Sequence, residues 1–91
     1  MDEARRARIE RKLRERLEAS EVRVIDESAA HAGHAGAASG AGHFRALVVS
    51  ARFAGLSRVA AQRLVYEALA DEMGSAIHAL SIRTATPGDA D

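Results

Sequence analysis

The residues with the clearest chemical potential are four histidines in a chain that has no cysteine. Two of them stand in the string His31-Ala32-Gly33-His34, His43 precedes Phe44, and His78 lies at the start of an apolar run. Neutral imidazole is a borderline-soft metal ligand, and it is the natural donor where thiolates are missing. A metal-related role therefore depends on whether the fold brings these histidines together.

The spacing of apolar residues predicts which elements position the histidines. The first helix has a stripe of Ile9, Leu13 and Leu17 at i,i+4 spacing, whereas Val22 and Val24 alternate with polar residues as in a strand. The predicted elements are a helix over 2–19, strands over 21–27 and 44–50, a helix over 58–73 and a strand over 77–84.

The second helix carries its own start and stop signals. Ser57 is a predicted N-cap, and Gly74 is predicted to end the helix just beyond Met73. Its apolar stripe consists of Ala61, Val65, Leu69 and Met73. A helix of this length is typical of a crossover between parallel strands. We therefore expect a three-stranded mixed sheet with both helices packed on one face.

This topology places His43 and His78 near the starts of adjacent parallel strands. The first two strands pair antiparallel, so the segment 28–42 between them joins the sheet at the same end. That segment contains His31 and His34 among Ala, Gly and Ser, and it is predicted to be a long loop and the most mobile internal part of the chain. The histidines are thus expected to converge at one end of the sheet.

Charge and composition narrow the classes of function. The chain has 91 residues, and its 13 basic and 13 acidic residues give a net charge of zero. The first helix is rich in arginine, which could meet nucleic acid or an acidic partner. The simpler interpretation is a solvated helix face with Glu–Arg pairs such as Glu10–Arg14 at i,i+4 spacing.

The sequence lacks the motifs that mark several other classes of protein. The sequence has no cysteine nucleophile, no nucleophile elbow and no phosphate-binding P-loop, so we expect no enzymatic activity and no catalytic residues. Gly33-His34-Ala35-Gly36 matches the Gly-x-x-Gly of KH domains, but it lies between two strands and not between two helices. No apolar stretch approaches membrane length and the N-terminus is charged, which favours a cytoplasmic protein that binds no membrane.

A series of short strings, in fixed order over nearly the whole chain, resembles the BolA-like family. We accordingly expect a BolA-like domain over 1–86 and a polar tail over 87–91. The matching strings are Val24-Ile25-Asp26-Glu27-Ser28, His31-Ala32-Gly33-His34, His43-Phe44-Arg45, Val48-Val49-Ser50, Phe53-Ala54-Gly55-Leu56-Ser57, Arg63-Leu64-Val65-Tyr66, Ile77-His78-Ala79-Leu80-Ser81-Ile82 and Thr86-Pro87.

The resemblance implies a fold, a partner and a cofactor. The family fold is an α/β sandwich similar to the class II KH domain, and its members bind monothiol glutaredoxins and share a bridging 2Fe–2S cluster with them. The implied role is iron–sulfur cluster trafficking or iron regulation. On the partner side a cysteine and glutathione supply the ligands; on this chain they are His78 and one of His31 and His34, with His43 a secondary candidate. Alone, the chain is expected to hold no cofactor and to be a monomer or weak homodimer.

Two alternatives remain open at this point. Alternation places His78 on the same side of its strand as Leu80 and Ile82, which also fits a partly buried core histidine. The family is also credited with DNA-binding transcriptional regulators, which would use the KH-like fold and the arginine-rich first helix. Against this, Ala61-Gln62-Arg63 stands where family members usually carry Arg-His-Arg.

Overall fold

The computed structural model describes residues 3–28 and 42–89 and has the predicted order of elements. The 29–41 segment with His31 and His34, and the expected mobility of that loop, lie outside the described residues. The elements are α1 (Glu3–Arg16), β1 (Glu21–Asp26), β2 (Gly42–Val49), a short 3-10 turn (Ala51–Phe53), α2 (Arg58–Ala68) and β3 (Ile77–Ala85).

The three strands form one mixed sheet in the order β1-β2-β3. β1 pairs antiparallel with β2, and β2 pairs parallel with β3, as the topology argument predicts. Both parts of the expected mixed sheet are therefore confirmed.

One hydrophobic core lies between the sheet and the two helices. β2 alternates between buried Phe44, Ala46 and Val48 and more accessible residues, so one face of the sheet turns inward. The predicted stripes of both helices pack on that face; the buried members are Ile9, Leu13, Leu17, Ala61, Val65 and Leu69. Because both helices cover the same face, the other face of the sheet has no helix over it in the described part of the chain.

The second helix ends earlier than its apolar stripe predicts. α2 stops at Ala68, with Leu69 as its C-cap, and the prediction of a helix to Met73 is wrong. The Nη1 atom of Arg16 donates to the Ala68 carbonyl at 2.7 Å, which satisfies one of the acceptors that the helix end leaves open. Gly74, with φ of +84°, lies in the turn before β3 and does not cap the helix.

The early end of α2 allows an acidic turn to meet the basic side of α1. Glu72 is 4% exposed, and Arg8 binds its carboxylate in bidentate fashion at 2.8 Å for both hydrogen bonds. Lys12 donates to the same carboxylate at 2.5 Å and to Asp71 at 2.8 Å. The predicted i,i+4 pair between Glu10 and Arg14 is also present, at 3.3 Å. Much of the positive charge of α1 is therefore paired with carboxylates of the same chain.

Replacing Glu72 with glutamine should lower the stability of the fold. Hydrogen bonds from Arg8, opposed by burial and assisted by those from Lys12, lower the pKa of Glu72 from 4.5 to about 2. The ionised carboxylate thus stabilises the fold above about pH 4.5, and this contribution is lost as the pH falls towards 2. We expect Glu72→Gln to cost about 2 kcal/mol at pH 7 and to make the acid-side decline in the free energy of unfolding shallower.

Urea unfolding of both proteins between pH 7 and pH 2 measures this effect. Glu67→Gln is the matched control, because Glu67 is exposed on α2. Equal stability of Glu72→Gln and Glu67→Gln at pH 7 would show that the buried carboxylate does not hold α1 against the turn.

Hydrogen bonds also define the remaining connections. Ser57 caps α2 as predicted, since its side chain accepts from the Ala60 N–H at 3.1 Å. Towards the other end of the chain, residues 87–89 form a turn, and the Thr86 hydroxyl donates to the Asp89 carboxylate at 2.9 Å. Within 3–28 and 42–89, no helix has the length and apolar character needed to cross a bilayer.

Candidate functional site

His43 and His78 meet at one end of the sheet. His43 is the second residue of β2 and His78 the second residue of β3, and their ring centroids lie 5.2 Å apart with the rings tilted by 46°. His43 is half-buried and its Nε2 atom is buried, whereas His78 is exposed. The predicted convergence of these two histidines is confirmed.

A β-bulge gives His78 its exposure. Gly42 pairs with Ile77 but His43 pairs with Ala79, so His78 is an extra residue without a counterpart on β2. The bulge resets the alternation, and both Ile77 and Leu80 pack towards the helices. The interpretation of His78 as a core residue on the side of Leu80 and Ile82 is therefore wrong. Instead its imidazole is presented to solvent.

Gly42 permits the close packing beneath this pair. A methyl group at Gly42 would lie 2.7 Å from Cε2 of Phe44 and 2.8 Å from Oγ of Ser28. Its N–H donates to the Ala76 carbonyl at 2.9 Å, next to the bulge. Glycine is thus required for contact and not for an unusual backbone angle, a role that the sequence analysis did not identify.

Ser28, which follows β1, links the end of that strand to β2 beside the histidine pair. Its hydroxyl accepts from the His43 N–H at 3.1 Å, and its own N–H donates to the Asp26 carboxylate at 2.8 Å. Ser28 and Gly42, the described residues on either side of the segment 29–41, are thereby fixed beside the histidine pair. His31 and His34, predicted as loop ligands, lie outside the described residues.

The donor set is compatible with sharing a metal centre with a partner. The exposed imidazole of His78 can contribute a ligand from one side and leave the remaining positions of a metal centre to other donors. In the part of the chain that the structure describes, no group of three or more His, Cys, Asp or Glu side chains is arranged to hold a metal ion.

Fewer cationic side chains are available to bind a partner than the arginine-rich sequence suggests. On α1, Arg6, Arg8, Lys12, Arg14 and Arg16 all form ion pairs with carboxylates of the fold. On α2, Ala61 is buried in the core. That position of the usual Arg-His-Arg string therefore contributes here to packing and not to a cationic surface.

Comparison with known proteins gives consistent results. A sequence model described as BolA-like protein matches residues 13–89, a range that includes both His43 and His78. The chain is 47% identical over 78 residues to a Vibrio cholerae protein named DNA-binding transcriptional regulator BolA, covering 86% of this chain and 71% of that protein. It is 44% identical over 81 residues to BolA-like protein 1 of Homo sapiens, covering 89% of this chain. Because the match covers 57% of the human protein, this chain spans little more than half of its length.

The solved structures agree with the architecture. The BolA domain of SufE1 from Arabidopsis thaliana superposes with a TM-score of 0.82 at 43% sequence identity, covering 94% of this chain and 95% of that domain. An identity this high over nearly complete chains relates the two in sequence as well as in fold.

Proposed function

Because the chain belongs to the BolA-like protein family, we propose that it is an adaptor that binds a monothiol glutaredoxin and co-ligates a bridging 2Fe–2S cluster. The proposed role is iron–sulfur cluster trafficking or iron regulation. A single observation carries the proposal: His78 is exposed on a bulge, with the ring of His43 5.2 Å away.

The bulge is what makes His78 suitable as a ligand. A strand residue in regular alternation with Leu80 and Ile82 would turn its imidazole into the core, where no partner could reach it. As the extra residue of β3, His78 instead projects from a rigid sheet whose neighbouring strand is anchored by Gly42 and Ser28. A ligand held on a rigid element loses little conformational freedom when it binds.

The second ligand is proposed to come from the segment between β1 and β2. Three residues of extended chain span at most about 11 Å, so connectivity alone limits how far His31 can lie from Ser28. His34 has about twice that reach. We propose that one of these two residues completes the pair of ligands at the end of the sheet that carries His78.

This chain is proposed to supply imidazole nitrogens, and the glutaredoxin a cysteine and a bound glutathione thiolate. A 2Fe–2S cluster supplies one-electron redox chemistry, and imidazoles in place of thiolates on one iron raise its potential. His43 is proposed to hold the His78 ring in place by contact.

Co-expression with the monothiol glutaredoxin of the same cell tests the proposal. The complex should purify under anaerobic conditions as a heterodimer with visible absorption and circular dichroism that differ from those of the glutaredoxin alone. The chain expressed alone should be colourless. Purification of the two proteins as separate species, each with its own spectrum, would contradict the adaptor role.

Substitution of His31 and of His34 should show which of the two is the proposed second ligand. We expect one of His31→Ala and His34→Ala to accelerate cluster loss from the complex by about tenfold and the other to have a small effect, because the cluster needs one ligand from this segment. The decay of visible circular dichroism under air measures the rate. If both variants lost the cluster at the wild-type rate, neither His31 nor His34 would be a ligand.

DNA binding is the second candidate function, and the name of the Vibrio cholerae relative favours it. Arg58 and Arg63 are exposed on α2 and form none of the ion pairs within residues 3–28 and 42–89, so they are available for phosphate contacts. Affinity for a DNA duplex should then fall steeply with salt, and Arg63→Ala should reduce the slope of log K against log salt by about one. If the chain did not bind the DNA duplex at 50 mM salt, this function would be contradicted.

A further inference from the structure

The face of the sheet opposite the helices combines apolar and cationic side chains. Ile25 of β1 is 52% exposed and Leu47 of β2 is half-buried, although both are large apolar residues. Arg23, Arg45 and Arg83 surround them and, with Ser81, line a shallow groove of about 380 Å³. We call this surface, made of Arg23, Ile25, Arg45, Leu47, Ser81 and Arg83, the open face.

The register shows how regular the open face is. Leu47 lies between Arg23 and Arg83 in one row across the sheet, and Arg45 lies between Ile25 and Ser81 in the next row. Each apolar residue therefore has an arginine as its cross-strand neighbour. A partner that fits this pattern presents apolar side chains with carboxylates beside them.

The arginines can exchange their present contacts at little cost. Arg23 pairs with Glu21 at 3.0 Å and Arg45 with Glu27 at 3.2 Å, and the two guanidinium side chains are 73% and 62% exposed. Exposed pairs of this kind contribute about 0–1 kcal/mol. Arg83 takes part in no ion pair among the residues that the structure describes.

The dimensions favour a helix as the occupant. Three adjacent strands span about 10 Å from the first to the third, close to the diameter of an α-helix with side chains, about 10–12 Å. A helix over the open face would also complete the layered arrangement in which each face of a sheet is covered.

Two other occupants fit the surface less well. A second copy docked by a twofold axis would bring the arginines of both open faces together, and like charges in contact are unfavourable. Single-stranded nucleic acid is bound largely by stacking on aromatic side chains, but the open face contains no Phe, Tyr or Trp.

We propose that the open face docks an acidic amphipathic helix of a partner protein, with its apolar residues over Ile25 and Leu47 and its carboxylates on Arg23, Arg45 and Arg83. The docking surface begins next to His43 on β2 but does not include either histidine. It therefore goes beyond cluster ligation, and the two can be tested separately.

A capped 16-residue helical peptide with leucines along one face and flanking glutamates is a suitable probe. Titrated into the ¹⁵N-labelled chain, it should shift amide signals of the open face, and Arg45→Glu and Arg83→Glu should each weaken binding by about tenfold. Arg58→Glu is the matched control, since it makes the same charge change on α2, and its affinity should stay within twofold of wild type. Because the probe carries no cluster, its binding is independent of the histidine site.

Four results would overturn the proposal. They are shifts confined to the helices, an equal loss of affinity in Arg58→Glu, equal binding of a peptide with lysine in place of each glutamate, and concentration-dependent shifts of the open face in the absence of peptide. The last would assign this surface to self-association. Circular dichroism of each variant confirms that the fold is retained.

Discussion

His78→Ala should leave the fold intact and destabilise the cluster that the chain shares with a glutaredoxin. The side chain is exposed, so its removal should cost at most about 1 kcal/mol of folding free energy. Residues that only orient a metal ligand already contribute about 10–100-fold to affinity. Removing the ligand itself should therefore accelerate cluster loss by more than tenfold, and the visible circular dichroism should change as the iron takes another ligand.

His43→Ala is the matched comparison, since the two rings lie 5.2 Å apart at the same end of the sheet. It should cost about 1 kcal/mol because the ring is half-buried, but it should affect the cluster less than His78→Ala does. If His78→Ala formed the complex with the spectrum and decay rate of wild type, His78 would not be a ligand.

Gly42→Ala should be among the most damaging single substitutions outside the helices. The added methyl group would lie 2.7 Å from Phe44, which is 2% exposed, and 2.8 Å from Ser28. Neither neighbour can move without disturbing the core or the hydrogen bond to the His43 N–H. We expect a loss of about 2–3 kcal/mol, measured by thermal or urea unfolding, and a displaced His43 ring.

Gly88→Ala is the control for this substitution. A methyl group at Gly88 meets no atom within 4 Å, and this glycine is not among those with positive φ. Its stability should match wild type within about 0.5 kcal/mol. Equal stability of Gly42→Ala and Gly88→Ala would mean that the packing beneath the histidine pair accommodates a methyl group. Glycine at position 42 would then not be required for the geometry of the site.

The elements and their order were predictable because apolar spacing reports the buried side of each segment. The stripe of Ile9, Leu13 and Leu17 and the alternation around Val22 and Val24 correspond to buried residues in the structure. The meeting of His43 and His78 was predictable as well, because it follows from the parallel pairing of the strands that carry them.

Features set by contacts distant in sequence were not predictable. The ion pairs of Arg8 and Lys12 with Glu72 join residues about 60 positions apart, and no local pattern announces them. The same contacts lie just beyond Ala68, where α2 ends. The apolar stripe instead predicts a helix that continues to Met73. The bulge did leave a signal: Ile77 and Leu80 are both apolar but three positions apart, which regular alternation cannot bury on one face.

Pulsed EPR of the reduced glutaredoxin complex tests the central claim most directly, that imidazole nitrogen of this chain binds the cluster iron. The chain is prepared with ¹⁵N-labelled histidine and the glutaredoxin is left unlabelled. We expect strong hyperfine coupling to ¹⁵N, and we expect His78→Ala to remove the part of it that comes from His78. A spectrum without ¹⁵N coupling in the wild-type complex would show that this chain does not ligate the cluster.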